Sequence, residues 1–293
     1  MKITIPSLTL ALFCLCGKTH GQAQADSIQV RIAPINGNLY FLDCINGFGG
    51  GNVIASIGEE GILLVDDMYA KMSTQLTAAV HSVKDKPIRI ILNTHYHKDH
   101  IEGNKSFRTS AIIVGHENIF NRYKDAGPDL APTITFSDSL TVNFNGEPVQ
   151  LIHYPNGHTD GDAAIFFSRN HVLHLGDMFF FEMFPAVYTQ GGGDIKQLIV
   201  NLDKILVRFP ADTKVVPGHG RLATMQDLTA YVSMLKETTG IVEAGIKAGT
   251  SLEEMKSKKV LAKYDALGSG GAQTTDQYLE MLYKLLSTKK SYL

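Results

Sequence analysis

The feature that most constrains this chain is a cluster of histidines and an aspartate that directly follows an apolar, strand-like segment. The segment Ile88–Leu92 is followed by His95, His97, Asp99 and His100. Alternate side chains of an extended segment share one face, so His95 and His97 point the same way. A turn into a helix at Asp99 would bring Asp99 and His100 to a neighbouring point. Because imidazole and carboxylate groups suit zinc, this segment predicts ligands for two adjacent metal ions.

Three later segments place a histidine or an aspartate where another strand is expected to end. They are Gly157-His158-Thr159, Gly176-Asp177 and Pro217-Gly218-His219. A glycine beside each candidate ligand permits a sharp turn and a close approach of the backbone to a crowded site. The alternative interpretation of the histidine cluster is a polar, solvent-exposed loop. The additional ligands downstream favour a metal site over that alternative.

The first 25 residues have the pattern of a secretory signal. Met1-Lys2 gives a positive start, residues 3–16 form an apolar run, and Ala23-Gln24-Ala25 provides small residues for cleavage. The apolar run is short for a membrane helix, which needs about twenty residues, so an uncleaved membrane anchor is the less favoured alternative. We therefore expect cleavage after Ala25, a periplasmic or secreted location, and one domain over residues 26–293. Cys44 would then be the single remaining cysteine, which excludes an internal disulfide.

Composition and charge exclude some function classes. The chain has 293 residues, 44% of them hydrophobic, and can bury a large core. Loss of residues 1–25 removes Lys2 and Lys18 and no acidic residue, so the net charge changes from −2 to −4. No basic patch favours nucleic acid. A small-molecule substrate is expected, with no membrane association after signal cleavage, and the oligomeric state is left open.

Hydrophobic periodicity predicts strands and helices in two successive groups. The predicted strands are 28–32, 39–43, 52–57, 62–66, 88–92, 111–114, 134–136, 140–144, 149–153, 163–167, 172–175 and 214–216. Helices are predicted at 70–83, 117–123 and 194–209, and three more follow residue 224, broken by a linker at 268–271. The first four strands read as antiparallel hairpins. Two sheets packed face to face, with helices outside both, would satisfy this order.

Taken together, these motifs resemble the metallo-β-lactamase superfamily. The matching segments, in the expected order, are His-x-His-x-Asp-His at 95–100, Gly-His-Thr at 157–159, Gly-Asp at 176–177 and Pro-Gly-His at 217–219. The strand end at Asp66 is similar to a further element of the superfamily. The resemblance covers about residues 28 to 222. It implies an α+β fold, the αββα four-layer sandwich, with a two-metal site in the cleft between the sheets.

The resemblance also implies a ligand set shared by two metal ions and bridged by one carboxylate. The implied ligands are His95, His97 and His158 for the first ion, Asp99, His100 and His219 for the second, and Asp177 as the bridge. Asp66 looks like the carboxylate that steadies the histidine-rich loop, and Asp99 like a catalytic residue that orients the attacking water. Two Zn²⁺ ions per chain are expected, and the oxygen-rich ligand set would also tolerate iron or manganese.

The expected function is exported, dinuclear zinc-dependent hydrolysis of an activated carbonyl (a lactam, lactone, ester or thioester) by hydroxide held on the metals. Zinc β-lactamases of the best-known group carry a cysteine where this chain has Asp177, and a lysine where it has Phe180. Acyl-homoserine lactonases have a tyrosine at the latter position. Glyoxalase II shares the bridging aspartate but is expected in the cytosol. A true β-lactamase, a phosphodiesterase and a metal-binding protein without significant turnover are the alternatives.

Two further segments are candidates for the substrate cleft. The glycine-rich segment 47–51 reads as a flexible hairpin loop beside the cleft. The aromatic cluster Phe179–Phe181, with Phe184 and Tyr188, is equally consistent with the wall of an apolar pocket and with ordinary core. Hydrogen-bonded structural roles are expected for His116 and His153, and a packing role for His174.

Overall fold

The computed structural model describes residues 28–271 and 273–287, and the predicted signal 1–25 lies outside this range. The strands of the described part form two sheets. The first contains, in spatial order, β1 (Gln29–Asn36), β2 (Leu39–Ile45), β3 (Val53–Gly58), β4 (Gly61–Val65), β5 (Ile88–Leu92), β6 (Ile112–His116) and β7 (Ile134–Phe136). The second contains β8 (Ser139–Phe144), β9 (Glu147–His153), β10 (Ala163–Phe167), β11 (Val172–His174), β12 (Lys214–Val216) and β13 (Ala223–Thr224), again in spatial order.

Eight α-helices lie within the described residues. They are α1 (Ser73–His81), α2 (Lys98–Ile101), α3 (Asn104–Phe107), α4 (Glu117–Tyr123), α5 (Ile195–Arg208), α6 (Met225–Lys247), α7 (Leu252–Ser257) and α8 (Thr275–Ser287). Short side chains fix where the long helices begin: Asp194 accepts from the backbone of the first turn of α5, and Thr224 forms a capping box with Asp227 at α6. In the part of the chain that the structure describes, no helix combines the length and apolar content needed to cross a membrane.

Strand direction decides where the functional side chains meet. β1 to β4 are antiparallel, as predicted, whereas β4 to β7 are parallel to one another. Parallel neighbours need crossover connections, and α1, α2 with α3, and α4 supply them. In the second sheet β11 and β12 are parallel and are connected through α5. The carboxyl ends of β4 and β5 therefore share one edge, as do those of β11 and β12.

The two sheets pack face to face because their strands alternate between two apolar layers. In β4, Leu63 and Val65 face the second sheet, while Ile62 and Leu64 pack with α1. The other face of the second sheet is covered by apolar side chains of α5, α6 and α8. This layer order is the predicted αββα sandwich.

Two predicted segments contain a 3₁₀ helix in the structure, and the bounds of several strands differ by one to four residues. The helix predicted over 70–83 starts as a 3₁₀ turn, Ala70–Met72, and α1 ends at His81. The predicted linker at 268–271 is largely part of a 3₁₀ helix, Ala262–Gly270. That helix ends at Gly271, whose φ of 105° suits glycine.

Candidate metal centre

The seven predicted ligand side chains converge at one edge of the sandwich and form two adjacent groups. In each group one ligand atom per residue lies within 4.8 Å of all the others. The groups are His95, His97, His158 and Asp177, and Asp99, His100 and His219. The first sheet supplies the ligands that follow β5, and the second sheet supplies those that follow β9, β11 and β12. The centre therefore lies across both sheets.

Asp177 stands between the two groups. Its Oδ2 lies 3.7 Å from Nε2 of His95 and 3.4 Å from Nε2 of His158. Its Oδ1 lies 3.1 Å from Nε2 of His100 and 3.4 Å from Nε2 of His219. Each carboxylate oxygen thus faces one group of imidazoles, which is the arrangement a bridging ligand requires.

The residues present fit a pair of divalent cations. Oδ1 of Asp177 is buried and makes no hydrogen bond of normal geometry. Burying a carboxylate oxygen without such a partner costs free energy, and a bound cation would remove that cost. The surrounding donors are imidazole nitrogens and carboxylate oxygens, which zinc prefers. Asp177 therefore has the surroundings expected of a metal ligand.

Asp66, at the end of β4, holds the histidine-rich loop in place. Its Oδ1 accepts from the backbone N–H of Thr94 at 2.8 Å, and its Oδ2 accepts from the Thr94 hydroxyl at 2.8 Å. Oδ2 also lies 2.8 Å from Nδ1 of His100, and both residues are fully buried. A hydrogen bond at Nδ1 leaves Nε2 of His100 free to face the centre. Asp66 thus has the contacts expected of a carboxylate that orients a metal ligand.

The turn that carries His158 depends on Asp162, which the sequence pattern does not single out. Oδ2 of Asp162 accepts from the backbone N–H of His158 at 2.6 Å, and both oxygens accept from the N–H of Thr159. Burial raises the pKa of Asp162 to about 7, although these hydrogen bonds oppose the change. Nδ1 of His158 lies 2.5 Å from the carbonyl oxygen of Ala186, which directs Nε2 toward the centre. The sequence signal for Asp162 is its place after a histidine-threonine turn, where aspartate commonly caps backbone N–H groups.

Glycines let the backbone reach the ligands. A methyl group at Gly51 would overlap the imidazole ring of His100. A methyl group at Gly218 would overlap the carboxylate of Asp177. These two positions therefore require glycine for space, whatever their backbone angles.

Burial controls the protonation of the first group. It lowers the pKa of His95 and of His158, and it lowers the pKa of His97 to about 4 with a further contribution from His158. Neutral imidazole is the form that binds a metal ion. These three side chains are therefore in the state that coordination requires at neutral pH.

The second group differs because two carboxylates face it. Burial lowers the pKa of His100 and of His219, but Asp177 and Asp99 outweigh that effect. The pKa of His100 is raised well above its usual range, and the pKa of His219 is raised to about 9. The two carboxylates therefore stabilise positive charge at this position, and either protons on the imidazoles or divalent cations can provide that charge.

An open cavity of about 490 Å³ lies beside the second group. It is lined by Asp43, Cys44, Gly47, Phe48, Gly50, Asn52, Phe180, Met183, His219, Gly220, Gly270 and Gly271. The glycine-rich segment 47–51 therefore borders the cleft, as predicted. Among the predicted aromatic residues, Phe179, Phe181 and Phe184 are core, and Tyr188 is half-exposed. Phe180 is buried and also stacks on the ring of His219, with centroids 5.4 Å apart.

The histidines expected to be structural lie outside the two ligand groups. The rings of His116 and His153 stack with centroids 3.7 Å apart, and each has a ring nitrogen near a backbone carbonyl oxygen. His174 is fully buried in β11, with Nε2 placed 3.1 Å from the carbonyl oxygen of Asn52.

Solved structures with the same fold include a metallo-beta-lactamase from Pontibacter korlensis, with a TM-score of 0.63, 18% identity, and coverage of 71% of this chain and 99% of that chain. The DIM-1 metallo-beta-lactamase gives a TM-score of 0.61 at 17% identity, covering 72% of this chain and 99% of that one. At these identities the similarity establishes the fold alone.

Curated relatives extend the comparison to sequence. A linear primary-alkylsulfatase of Pseudomonas sp. (strain ATCC 19151) is 26% identical over 267 residues, covering 70% of this chain and 50% of that protein. A metallo-beta-lactamase type 2 of Bacteroides fragilis is 25% identical over 158 residues, covering 54% of this chain and 57% of that protein. A hydroxyacylglutathione hydrolase of Polaromonas sp. (strain JS666 / ATCC BAA-500) is 31% identical over 180 residues, covering 59% of this chain and 63% of that protein. The chain thus spans about half to two thirds of the length of these relatives.

A family model confirms the resemblance seen in the motifs. The model described as the metallo-beta-lactamase superfamily matches residues 55–219, the segment that runs from β3 to the last predicted ligand, His219. The chain therefore belongs to the metallo-beta-lactamase superfamily.

Proposed function

We propose that this protein is a hydrolase that uses two zinc ions to cleave an activated carbonyl compound: a lactam, lactone, ester or thioester. The observation that carries the proposal is the position of Asp177, whose two oxygens each face a separate group of imidazoles. A structural zinc site is usually closed by four protein ligands around one ion. A bridged, two-part ligand set beside an open cavity favours catalysis over storage of metal.

The residues would divide the work as follows. His95, His97 and His158 would hold one ion, Asp99, His100 and His219 would hold the other, and Asp177 would serve both. When bound, the two ions supply Lewis-acid activation of water and of the scissile bond. Asp66 and Asp162 keep the ligands His100 and His158 in position through the contacts described above.

Asp99 is the residue proposed to handle the proton. Its side chain keeps 18% of its surface exposed, and Oδ2 lies 3.3 Å from Nε2 of His219. A carboxylate in that position can orient an attacking water and accept its proton. General acid–base groups of this kind contribute about 10²- to 10⁴-fold to a rate.

Position 180 argues against anionic antibiotics as the preferred substrates. Phe180 follows Asp177 by three residues, and its ring stacks on His219. This position therefore offers no positive charge to a substrate carboxylate. Activated esters and lactones fit the site better than β-lactams do.

The proposal is tested by loading the full protein with zinc and assaying 4-nitrophenyl acetate, a lactone, a thioester and nitrocefin before and after chelation. We expect close to two zinc ions per chain by mass spectrometry of the metal, and carbonyl hydrolysis that chelation abolishes and zinc restores. Hydrolysis that survives complete removal of metal would contradict the proposal.

The role of Asp99 is tested with Asp99→Asn. We expect this variant to lose about 10²- to 10⁴-fold in kcat because it removes the proton acceptor and keeps an oxygen ligand. Asp212→Asn is the matched control, because Asp212 is an exposed carboxylate whose partner is His171. Full activity of Asp99→Asn would exclude the proposed role.

A further inference from the structure

The cavity beside His219 is built from three separate parts of the chain. The end of β2 and the loop 47–51 form one part of the wall, Phe180 and Met183 form another, and Gly270 and Gly271 form a third. A methyl group at Gly271 would meet nothing within 4 Å, so there is free space beside this residue. Its volume of about 490 Å³ lies within the range of small-molecule sites. The cavity is therefore large enough to take part of a substrate.

We propose that this cavity binds an uncharged, apolar acyl group, so that the enzyme prefers neutral esters or lactones to anionic substrates. This inference rests on the proposed function of the same site. It adds the substrate class, which neither the ligand geometry nor the relatives determine.

Apolar side chains form much of the cavity wall. Phe48 keeps 55% of its surface exposed, although it lies 5.6 Å from the ring of His219 and 5.9 Å from that of Tyr69. Phe180 stacks on the same His219 ring. Covering an exposed phenylalanine with an apolar group is favourable because apolar surface leaves water. A substrate carbonyl held near His219 would place its acyl chain against these side chains.

Few charged side chains line the cavity. Apart from His219, a proposed metal ligand, Asp43 is the one charged residue among the described residues that line the cavity, and Arg31 donates to its carboxylate. Two nearby cations already have partners: Lys71 lies over the ring of Tyr69 with its Nζ 3.5 Å from the carbonyl oxygen of Phe48, and Arg221 donates to Glu182. An anionic group entering the cavity would face the carboxylate of Asp43, would have to displace one of these contacts to gain a cationic side chain, and would lose hydration. A neutral group would lose much less.

The test uses two esters whose acyl chains have equal length and differ in charge. These are 4-nitrophenyl hexanoate and the mono-4-nitrophenyl ester of adipic acid, which ends in a carboxylate. We expect the zinc-loaded protein to favour the hexanoate by at least about tenfold in kcat/KM, because the carboxylate would be buried unpaired. From acetate to hexanoate, kcat/KM should rise by up to about fourfold for each methylene that the cavity buries.

The acetate ester separates the two proposals, since its acyl group is too short to fill the cavity. Loss of zinc-dependent hydrolysis for every ester would overturn the proposed function. Hydrolysis of acetate with no dependence on chain length or charge would overturn this inference alone. Faster zinc-dependent cleavage of decyl sulfate, an anionic substrate, than of the neutral esters would overturn it as well.

A charge placed in the wall provides a second test. Met183→Arg adds a cation beside the cavity, and we expect the hexanoate-to-adipate ratio to fall by at least about tenfold because the carboxylate gains a partner. Val207→Arg adds the same charge on α5, where Val207 is 89% exposed, and should leave the ratio unchanged. An unchanged ratio in a folded Met183→Arg protein would contradict the inference. If that variant does not fold, the comparison of the two esters with the unmodified protein tests the inference by itself.

Discussion

At the scale of single residues, Asp162 positions His158, a proposed metal ligand, through the backbone of its turn. Its carboxylate holds the backbone N–H groups of His158 and Thr159, and burial makes that contact hard to replace. Removing the acceptor would leave three buried donors unpaired, the two N–H groups and the Thr159 hydroxyl, which costs about 1–3 kcal/mol for each. The His158 side chain would then no longer be fixed relative to Asp177.

Asp162→Ala is therefore expected to weaken zinc binding by about 10- to 100-fold, the usual effect of losing a residue that orients a metal ligand. Titration of the metal-free variant with zinc measures this change. Asp160→Ala is the control on the same turn, because the Asp160 side chain pairs with Arg122 and not with the backbone of the turn. Equal zinc affinity of Asp162→Ala and the unmodified protein would show that the turn holds its shape by other contacts.

At this scale the sequence predicts the proposed ligands and one of their supports, Asp66, but it does not predict the role of Asp162. His95, His97 and Asp177 are recognisable because metal chemistry limits the residue types that can serve. Asp162 is not recognisable in the same way, because it acts on backbone N–H groups that any residue provides. Phe180 is ambiguous for another reason: it is buried and also contacts His219, so core and pocket are not exclusive alternatives.

At the scale of elements, the loop between β2 and β3 fits closely over the centre. Gly51 lies against the ring of His100, and its N–H donates to the carbonyl of Asp99 at 2.9 Å. Oδ2 of Asp66 lies 2.8 Å from Nδ1 of the same ring, and this contact restricts movement of the ring away from the loop. Any side chain at position 51 must therefore displace either the loop or a proposed ligand.

Gly51→Ala is expected to reduce zinc content from about two ions per chain toward one and to lower activity by at least about tenfold, since a misplaced ligand costs that much or more. Metal analysis and the ester assay measure the two effects. Gly240→Ala is the control: a methyl group at Gly240, in α6, would meet nothing within 4 Å and should stabilise the helix by about 0.5–1 kcal/mol. Full zinc occupancy in Gly51→Ala would show that the loop can shift.

The stacked pair of His116 and His153 joins the end of β6 to the end of β9, and so joins the two sheets. Burial lowers the pKa of both imidazoles, and His116 further lowers the pKa of His153, while nearby carboxylates including Asp138 and Asp160 oppose the change. The unfolded chain therefore takes up protons first as the pH falls below 6.5, the ordinary value. This pair has no effect on stability well above that pH, and it reduces stability as the pH falls toward the lowered pKa values.

His153→Phe keeps an aromatic ring in the stack and removes one titrating group. We expect its free energy of unfolding to decrease less between about pH 7 and pH 5 than that of the unmodified protein, as measured by urea denaturation. His81→Gln is the control, because His81 lies at the end of α1 and its partner is Asp85. Parallel pH profiles for His153→Phe and the unmodified protein would contradict this account.

The predicted bounds are exact for β5, β7, β10, β12 and α4, and they differ by one to four residues for the other elements whose bounds were predicted. In β10 the physical reason is clear, because all five residues are buried and the apolar run coincides with the strand. The helix predicted to end at residue 83 stops at His81, because Val83 is 38% exposed and adds little to the core. The 3₁₀ helix Ala262–Gly270 has no fully buried side chain, so no apolar periodicity marks it.

At the scale of the whole molecule, the candidate metal centre connects two sheets that also meet through apolar contacts, hydrogen bonds and the stack of His116 on His153. Its ligands come from the first sheet after β5 and from the second sheet after β9, β11 and β12. Ions that bind only this folded arrangement stabilise it by mass action. At a free zinc concentration one hundred times the dissociation constant, the gain is about 2.7 kcal/mol for each site.

The melting temperature is therefore expected to rise when zinc is added to chelator-treated protein, as measured by scanning calorimetry. Asp177→Ala should show a smaller rise, because it removes the residue proposed to serve both ions. The same melting temperature with and without zinc in the unmodified protein would mean that the centre does not cross-link the sheets.

The part of the cavity wall formed by Gly270 and Gly271 lies outside the segment that supplies the proposed ligands. Those ligands all lie between residues 95 and 219, and Gly270 and Gly271 belong to a later segment. Substitutions in the later segment would change the shape available to a substrate without replacing a proposed ligand. Related proteins can thus inherit the same proposed ligands and still differ in substrate specificity through substitutions in this C-terminal segment.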